Sequence, residues 1–133
     1  FEKAIEDEEQ RITEPFNKML NDSNYYSDIY FRHAYLHRGL YVDKIKRWME
    51  VFPKEQFLII QSEEFFKNPS KTYNDVLEFL GLKLFSLKKF EIKGKVNKNR
   101  TIDDDFRNEL VDYFKPHNQR LYDFLGKSFD WDK

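Results

Sequence analysis

Gln56-Phe57-Leu58-Ile59-Ile60-Gln61, followed by Ser62-Glu63-Glu64 and then by Asn68-Pro69, is the stretch that decides how this chain is read. Its centre is apolar and β-branched, it is only six residues long, and Pro53 and the acidic pair Glu63-Glu64 bound it, which predicts a strand. Downstream, Asn68 is placed to cap a helix that has Pro69 at its first position. Tyr73, Val76, Leu77 and Leu80 recur at 3-4 spacing and give that helix an inner face, and Gly81 ends it. A strand feeding a helix is half of a βαβ unit. A strand this apolar is normally covered on both faces and paired on both edges. The chain offers no other confident strand to pair with it, Phe90-Glu-Ile-Lys93 being at most a short edge strand in what reads as a long loop, so the expected neighbours lie before Phe1.

Working outward, the pattern is helical. Phe1 to Leu20 reads as an acidic helix with Ala4, Ile5, Ile12, Phe16 and Leu20 as its apolar members, and Pro15 predicts a break or kink. Asn21 to Asp28 is a polar, turn-rich loop. From Ala34 to Phe52 the stripe Tyr41, Ile45, Trp48, Phe52 predicts one long amphipathic helix with those residues buried. Arg38 falls on the same side, where a guanidinium needs a partner such as Glu63 or Glu64. Thr101 is read as the cap of a further helix, with Asp104 completing an approximate capping box and Ile102, Phe106, Leu110 and Tyr113 facing the core. Pro116 is expected to break it. A last short helix with Leu121, Phe124 and Leu125 then ends near Gly126, and Trp131 packs down from the tail.

The chain has 133 residues, enough for one domain at most, and its 14 Phe, 8 Tyr and 2 Trp supply ample material for a core. Basic and acidic residues nearly cancel, 23 against 24, so net charge points to neither nucleic acid nor an anionic membrane. Without cysteine there is no disulfide framework and no thiolate zinc site. No apolar run approaches the ~18 residues of a membrane span, and no signal peptide is visible. The expectation is a soluble segment, cytoplasmic if its source is bacterial.

Charge is concentrated in one place. Lys88, Lys89, Lys93, Lys95, Lys98 and Arg100 crowd a short stretch of little periodicity, which reads as a long loop. Within it Lys93-Gly94-Lys95 sets free backbone between two ammonium groups, and Arg100 precedes a helix N-terminus whose dipole favours anions. Each charge-assisted hydrogen bond to a phosphate there is worth roughly 1.5–3 kcal/mol. The plainer reading is a solvated face, which charge runs usually are. His33 and His37, four apart, lack the further ligands a metal site needs. The four glycines are scattered, so neither a Walker-type nor a dinucleotide-binding loop is present.

Taken in order, Tyr35-x-x-Arg38-Gly39-x-Tyr41, Trp48, Phe52-Pro53, the strand with Glu63-Glu64, Asn68-Pro69, Phe79-Leu-Gly81-Leu82 and Pro116-His-Asn118-x-x-Leu121-Tyr122 resemble the sulfotransferases that use 3′-phosphoadenosine 5′-phosphosulfate (PAPS). The likeness is to heparan-sulfate-like and bacterial members, and it runs from the Phe1-Glu-x-Ala-Ile5 start to Phe129-Asp-Trp131. It implies an α/β fold with a P-loop-like parallel sheet, of which residues 1–133 form the C-terminal part of a single domain, mostly helical with one strand. The phosphosulfate loop and the usual catalytic base belong to the family's N-terminal half and are not found here.

The resemblance therefore implies sulfuryl transfer from PAPS to a hydroxyl or amine of a glycan, lipid or small molecule, with 3′,5′-adenosine bisphosphate as the second product. In this family a basic, Gly-containing loop closes over the 3′-phosphate, which makes Lys93, Gly94, Lys95, Lys98 and Arg100 the expected nucleotide contacts. No catalytic or metal-binding residue is expected in this chain, and the N-terminal half of the fold is the expected partner. Two other classes use the same residues differently. A helical nucleic-acid-binding module would use the basic loop with steep salt dependence. A protein-interaction module would leave that loop in solvent and bind no nucleotide.

Overall fold

The computed structural model describes residues 2–87, 90 and 102–131. They fall into two compact units, the first made of Phe1–Lys46 with Ile102–Lys133 and the second of Arg47–Thr101.

In the first unit, α1 (Glu2–Glu6) leads into α2 (Glu8–Asn21), then α3 (Asp28–His33), α4 (Tyr35–Gly39) and the opening of α5 (Tyr41–Val51). Ser27 starts α3 by accepting a hydrogen bond from the Tyr30 N–H at 3.1 Å. The core here joins Ile12 of α2 to Tyr30 and Ala34, with Phe16 and Met19 packed against them. The Phe16 ring stacks on Tyr30 at 5.4 Å between centroids and meets the His37 ring edge-on at 4.6 Å. Pro15 lies inside α2, which continues through it. The predicted break is absent: one missing N–H costs the helix a single bond to Arg11, and burial of Ile12 and Phe16 on either side of Pro15 holds the turn.

Ala34 to Phe52 is two helices and not one. Leu40, with φ −79° and ψ 89°, leaves the helical region between α4 and α5. Restarting the helix at Tyr41 shifts its buried face by one position. Val42 is completely buried and Ile45 and Met49 are partly so, whereas Tyr41, Trp48 and Phe52 are 48%, 59% and 41% exposed. Both stripes satisfy 3-4 spacing and share Ile45, so periodicity alone did not separate them. Arg38 is exposed, and its Nη1 donates to the Phe31 carbonyl at 3.0 Å. The premise of a buried charge in need of a carboxylate is thereby removed.

Helix α8 (Asp104–Leu125) closes the first unit. Its cap is Asp103, whose carboxylate accepts from the Asp105 N–H at 3.0 Å, and Thr101 lies outside the described residues. Pro116 does not end this helix, which runs on to the left-handed Gly126 at φ +67°. Buried Phe106, Asn118, Leu121 and Tyr122 anchor it on both sides of the proline. Ile102 and Tyr113, expected in the core, are 49% and 41% exposed. Trp131 does pack down: its ring stacks on Phe129 at 4.7 Å, and its backbone N–H donates to the Tyr122 hydroxyl at 3.4 Å.

The second unit takes the end of α5, a 3₁₀ turn (Lys54–Gln56), α6 (Ser62–Lys67) and α7 (Pro69–Phe79). Asn68 caps α7 by accepting from the Lys71 N–H at 3.2 Å. At the far end Gly81, φ +66°, completes a Schellman pair: Leu82 N–H to Leu77 C=O at 2.8 Å and Gly81 N–H to Glu78 C=O at 2.9 Å. Thr72 and Leu77 are the buried residues of α7, and Leu80 is 58% exposed.

The predicted strand is not formed. Among the described residues no β-ladder occurs. Gln56 belongs to the 3₁₀ turn, and Phe57 to Gln61 is extended backbone, with φ −112°, ψ 124° at Phe57 and φ −78°, ψ 126° at Gln61. The sequence specified the conformation, but a strand also needs a second segment to pair with, and the described residues do not supply one.

Candidate functional site

The five expected nucleotide contacts, Lys93, Gly94, Lys95, Lys98 and Arg100, lie outside the described residues. What the structure describes is the chain that flanks them. On one side Phe90 sets its ring against Tyr73 at 6.4 Å. On the other, Ile102 leads into the capped start of α8. That start differs from the sequence reading in one respect. Asp103 caps it, and Asp104 and Asp105 fill its first turn. These carboxylates already complement the positive end of the helix dipole and repel a phosphate. This helix terminus is therefore not itself arranged to hold an anion.

Ile102 also lies on the rim of a cavity of about 340 Å³, walled by Gly39, Tyr41, Phe114 and Trp131, with Arg107 and the buried Asn118 as polar members. Tyr41 and Trp131 face each other at 6.0 Å between ring centroids. Aromatic walls with a guanidinium among them suit a flat or sugar ring that carries negative charge.

A second cavity, about 420 Å³, is lined by Glu8, Ile12, Phe16, Leu36, His37 and Tyr113 among others. Glu8 is only 3% exposed, and its two oxygens accept the backbone N–H groups of Leu36 at 3.0 Å and His37 at 2.8 Å. A carboxylate of α2 thus closes the first turn of α4. The His37 ring bonds the Tyr30 hydroxyl through Nδ1 at 2.8 Å. Burial, with the nearby Lys44 ammonium adding to it, holds His37 below its ordinary value near 6.5. Burial and the carboxylates of Glu8 and Glu9 push the Tyr113 hydroxyl upward. Glu8 and His37 thereby tie α2 and α3 to α4.

Sequence reasoning missed Glu8, reading it only as one charge of an acidic helix. The signal was present, since Glu8, Ile12 and Phe16 follow each other at four-residue steps down one face. His33 and His37 sit in different helices, their Nδ1 atoms bonded to the hydroxyls of Tyr35 and Tyr30. Among the described residues no group of three or more potential metal ligands occurs.

Residues 10–101 match the sulfotransferase domain family model. The chain belongs to the sulfotransferase domain family. It is 30% identical over 117 residues to heparan sulfate glucosamine 3-O-sulfotransferase 3B1 of Mus musculus, covering 71% of this chain and 30% of that protein. To the membrane-associated sulfotransferase kil1 of Dictyostelium discoideum it is 27% identical over 96 residues, 72% of this chain and 20% of that one. Among solved structures, a sulfotransferase from Alicyclobacillus acidocaldarius superposes with a TM-score of 0.67 at 26% identity, covering 99% of this chain and 45% of that one. The chain therefore spans between a fifth and a half of the length of these relatives. No helix among the described residues is long and apolar enough to cross a membrane.

Proposed function

We propose that this chain supplies the C-terminal part of the nucleotide site of a PAPS-dependent sulfotransferase whose acceptor is a hydroxyl or amine of a glycan. The observation that carries the reading is the family match over residues 10–101, joined to relatives whose names specify sugar acceptors. In the reaction the bond between sulfur and the bridging phosphate oxygen breaks as a new bond forms from sulfur to the acceptor atom. The acceptor proton passes to a base, and 3′,5′-adenosine bisphosphate leaves. Lys93, Gly94, Lys95, Lys98 and Arg100 hold the phosphates of that nucleotide, their charges offsetting the negative charge on the leaving group. No residue of this chain is assigned to the proton transfer.

Titration calorimetry with 3′,5′-adenosine bisphosphate against 5′-AMP, at two salt concentrations, tests it. The chain is examined alone and joined to the remaining part of a sulfotransferase fold. Preference for the bisphosphate in the joined protein, weakened about tenfold or more by Lys95→Ala or Arg100→Ala, supports the reading. Equal binding of the two nucleotides in both forms overturns it.

A further inference from the structure

One face of α8 carries Arg107, Leu110, Val111, Phe114 and Asn118 at three- and four-residue steps, and all five open onto the cavity of about 340 Å³ that Ile102 rims. A second wall is aromatic and held in place. Trp131 stacks on the buried Phe129 at 4.7 Å with the ring planes 18° apart, and its backbone N–H reaches the Tyr122 hydroxyl at 3.4 Å. Tyr41 meets Trp131 at 6.0 Å and 56°, so the two rings form a corner and not a sandwich. Asn118 is buried and engaged in the fold, which fixes its amide. A small cavity with a rigid aromatic corner and few polar groups has the make-up of a small-molecule site.

The lining selects among ligands. Gly39, Ile102, Leu110, Val111 and Phe114 offer no side-chain hydrogen bond, which leaves Tyr41, Arg107, Asn118 and Trp131 as the polar members. A sugar brings hydroxyls on every edge and leaves several of them unmatched here, whereas a planar ring brings none. Arg107 is the charged residue of the lining, and Asp103, Asp104 and Asp105 are not part of it. Its exposed guanidinium is cationic at every working pH and fans out several N–H donors, so the engagement it already has does not exhaust it. We propose that this cavity binds an aromatic carboxylate, the ring packed on Tyr41, Phe114 and Trp131 and the carboxylate paired with Arg107. The site uses none of the residues assigned to the nucleotide and stands whether or not that assignment holds.

The probes are naphthalene-2-carboxylate and naphthalene-2-carboxamide, nearly equal in shape and different in charge, with glucuronate as the sugar carboxylate. Nuclear magnetic resonance of the isotope-labelled chain reads the amides of Gly39, Leu110 and Val111, with those of α7 as reference. The carboxylate should shift the first group, leave α7 unmoved, and bind about fivefold or more tighter than the carboxamide. Arg107→Gln, at an exposed position, should erase that preference while the carboxamide still binds; Arg107→Lys should keep part of it. No shift at millimolar carboxylate overturns the proposal, as does equal binding of the two naphthalenes or a preference that survives Arg107→Gln. Tighter binding of glucuronate overturns the aromatic assignment. Displacement of the carboxylate by 3′,5′-adenosine bisphosphate also overturns it, because the cavity then belongs to the nucleotide. So do shifts that appear with chain concentration alone, which assign the cavity to a second copy.

Discussion

Gly39 lies directly beneath the ring of Phe114, so that a Cβ at position 39 would stand 2.8 Å from Cε1 and 2.9 Å from Cζ. The last residue of α4 is therefore a contact surface for the middle of α8. Gly39→Ala gains helix propensity of about 0.5–1 kcal/mol but must displace an aromatic ring, at about 1–3 kcal/mol. The expected outcome is a net loss of about 1 kcal/mol in urea unfolding. Phe114→Leu vacates the ring position, so the two changes couple favourably in a double-mutant cycle.

Glu8 joins α2 to α4 through two backbone amides, and its removal leaves both N–H groups without their acceptor. Glu8→Ala is expected to cost about 3 kcal/mol, and Glu8→Gln, which keeps one carbonyl oxygen, clearly less. Equilibrium unfolding monitored by circular dichroism separates the two. Equal costs would mean that packing, and not the paired amides, is what Glu8 contributes.

His37 makes stability depend on pH in a fixed direction. Burial first, and Lys44 second, hold its folded value below 6.5. The unfolded chain therefore takes up the proton earlier as pH falls. Unfolding free energy drops as pH descends from about 6.5 toward the lower folded value, then levels off with respect to this group. His37→Asn keeps an acceptor for the Tyr30 hydroxyl and removes the titration. The slope of stability against pH in that window should flatten in the variant.

Asn68 fixes the start of α7 with one side-chain hydrogen bond. Asn68→Ala should cost about 1 kcal/mol, and Asn68→Ser should recover most of it. Thermal unfolding of the three proteins at one concentration checks the order.

What was legible in the sequence was local chemistry. Asn68-Pro69 and Gly81 mark the two ends of α7, and Gly126 marks the end of α8, because caps and left-handed turns are decided within a few residues. The extended conformation of Phe57–Gln61 was legible for the same reason. Its pairing was not, since a ladder depends on a second segment. Nor was the phase of α5, where Tyr41 and Val42 start competing stripes that only packing tells apart. Pro15 and Pro116 mislead because tertiary burial outweighs one lost backbone bond. For the site, the basic residues from Lys93 to Arg100 carry the sequence signal, while the acid turn Asp103-Asp104-Asp105 limits what the adjoining helix contributes. Glu8 shows the opposite case, a charge concealed inside an apolar period.

The placement of Trp48 and Trp131 gives the molecule its own optical labels. These are the chain's 2 tryptophans, and they report from different units. Trp48 is 59% exposed and stacks on Phe52, whereas Trp131 lies against Phe129 and Tyr122. Acrylamide should quench the first emission strongly and the second weakly. With Trp48→Phe and Trp131→Phe as single-fluorophore forms, the unfolding of each unit can be followed without an added dye.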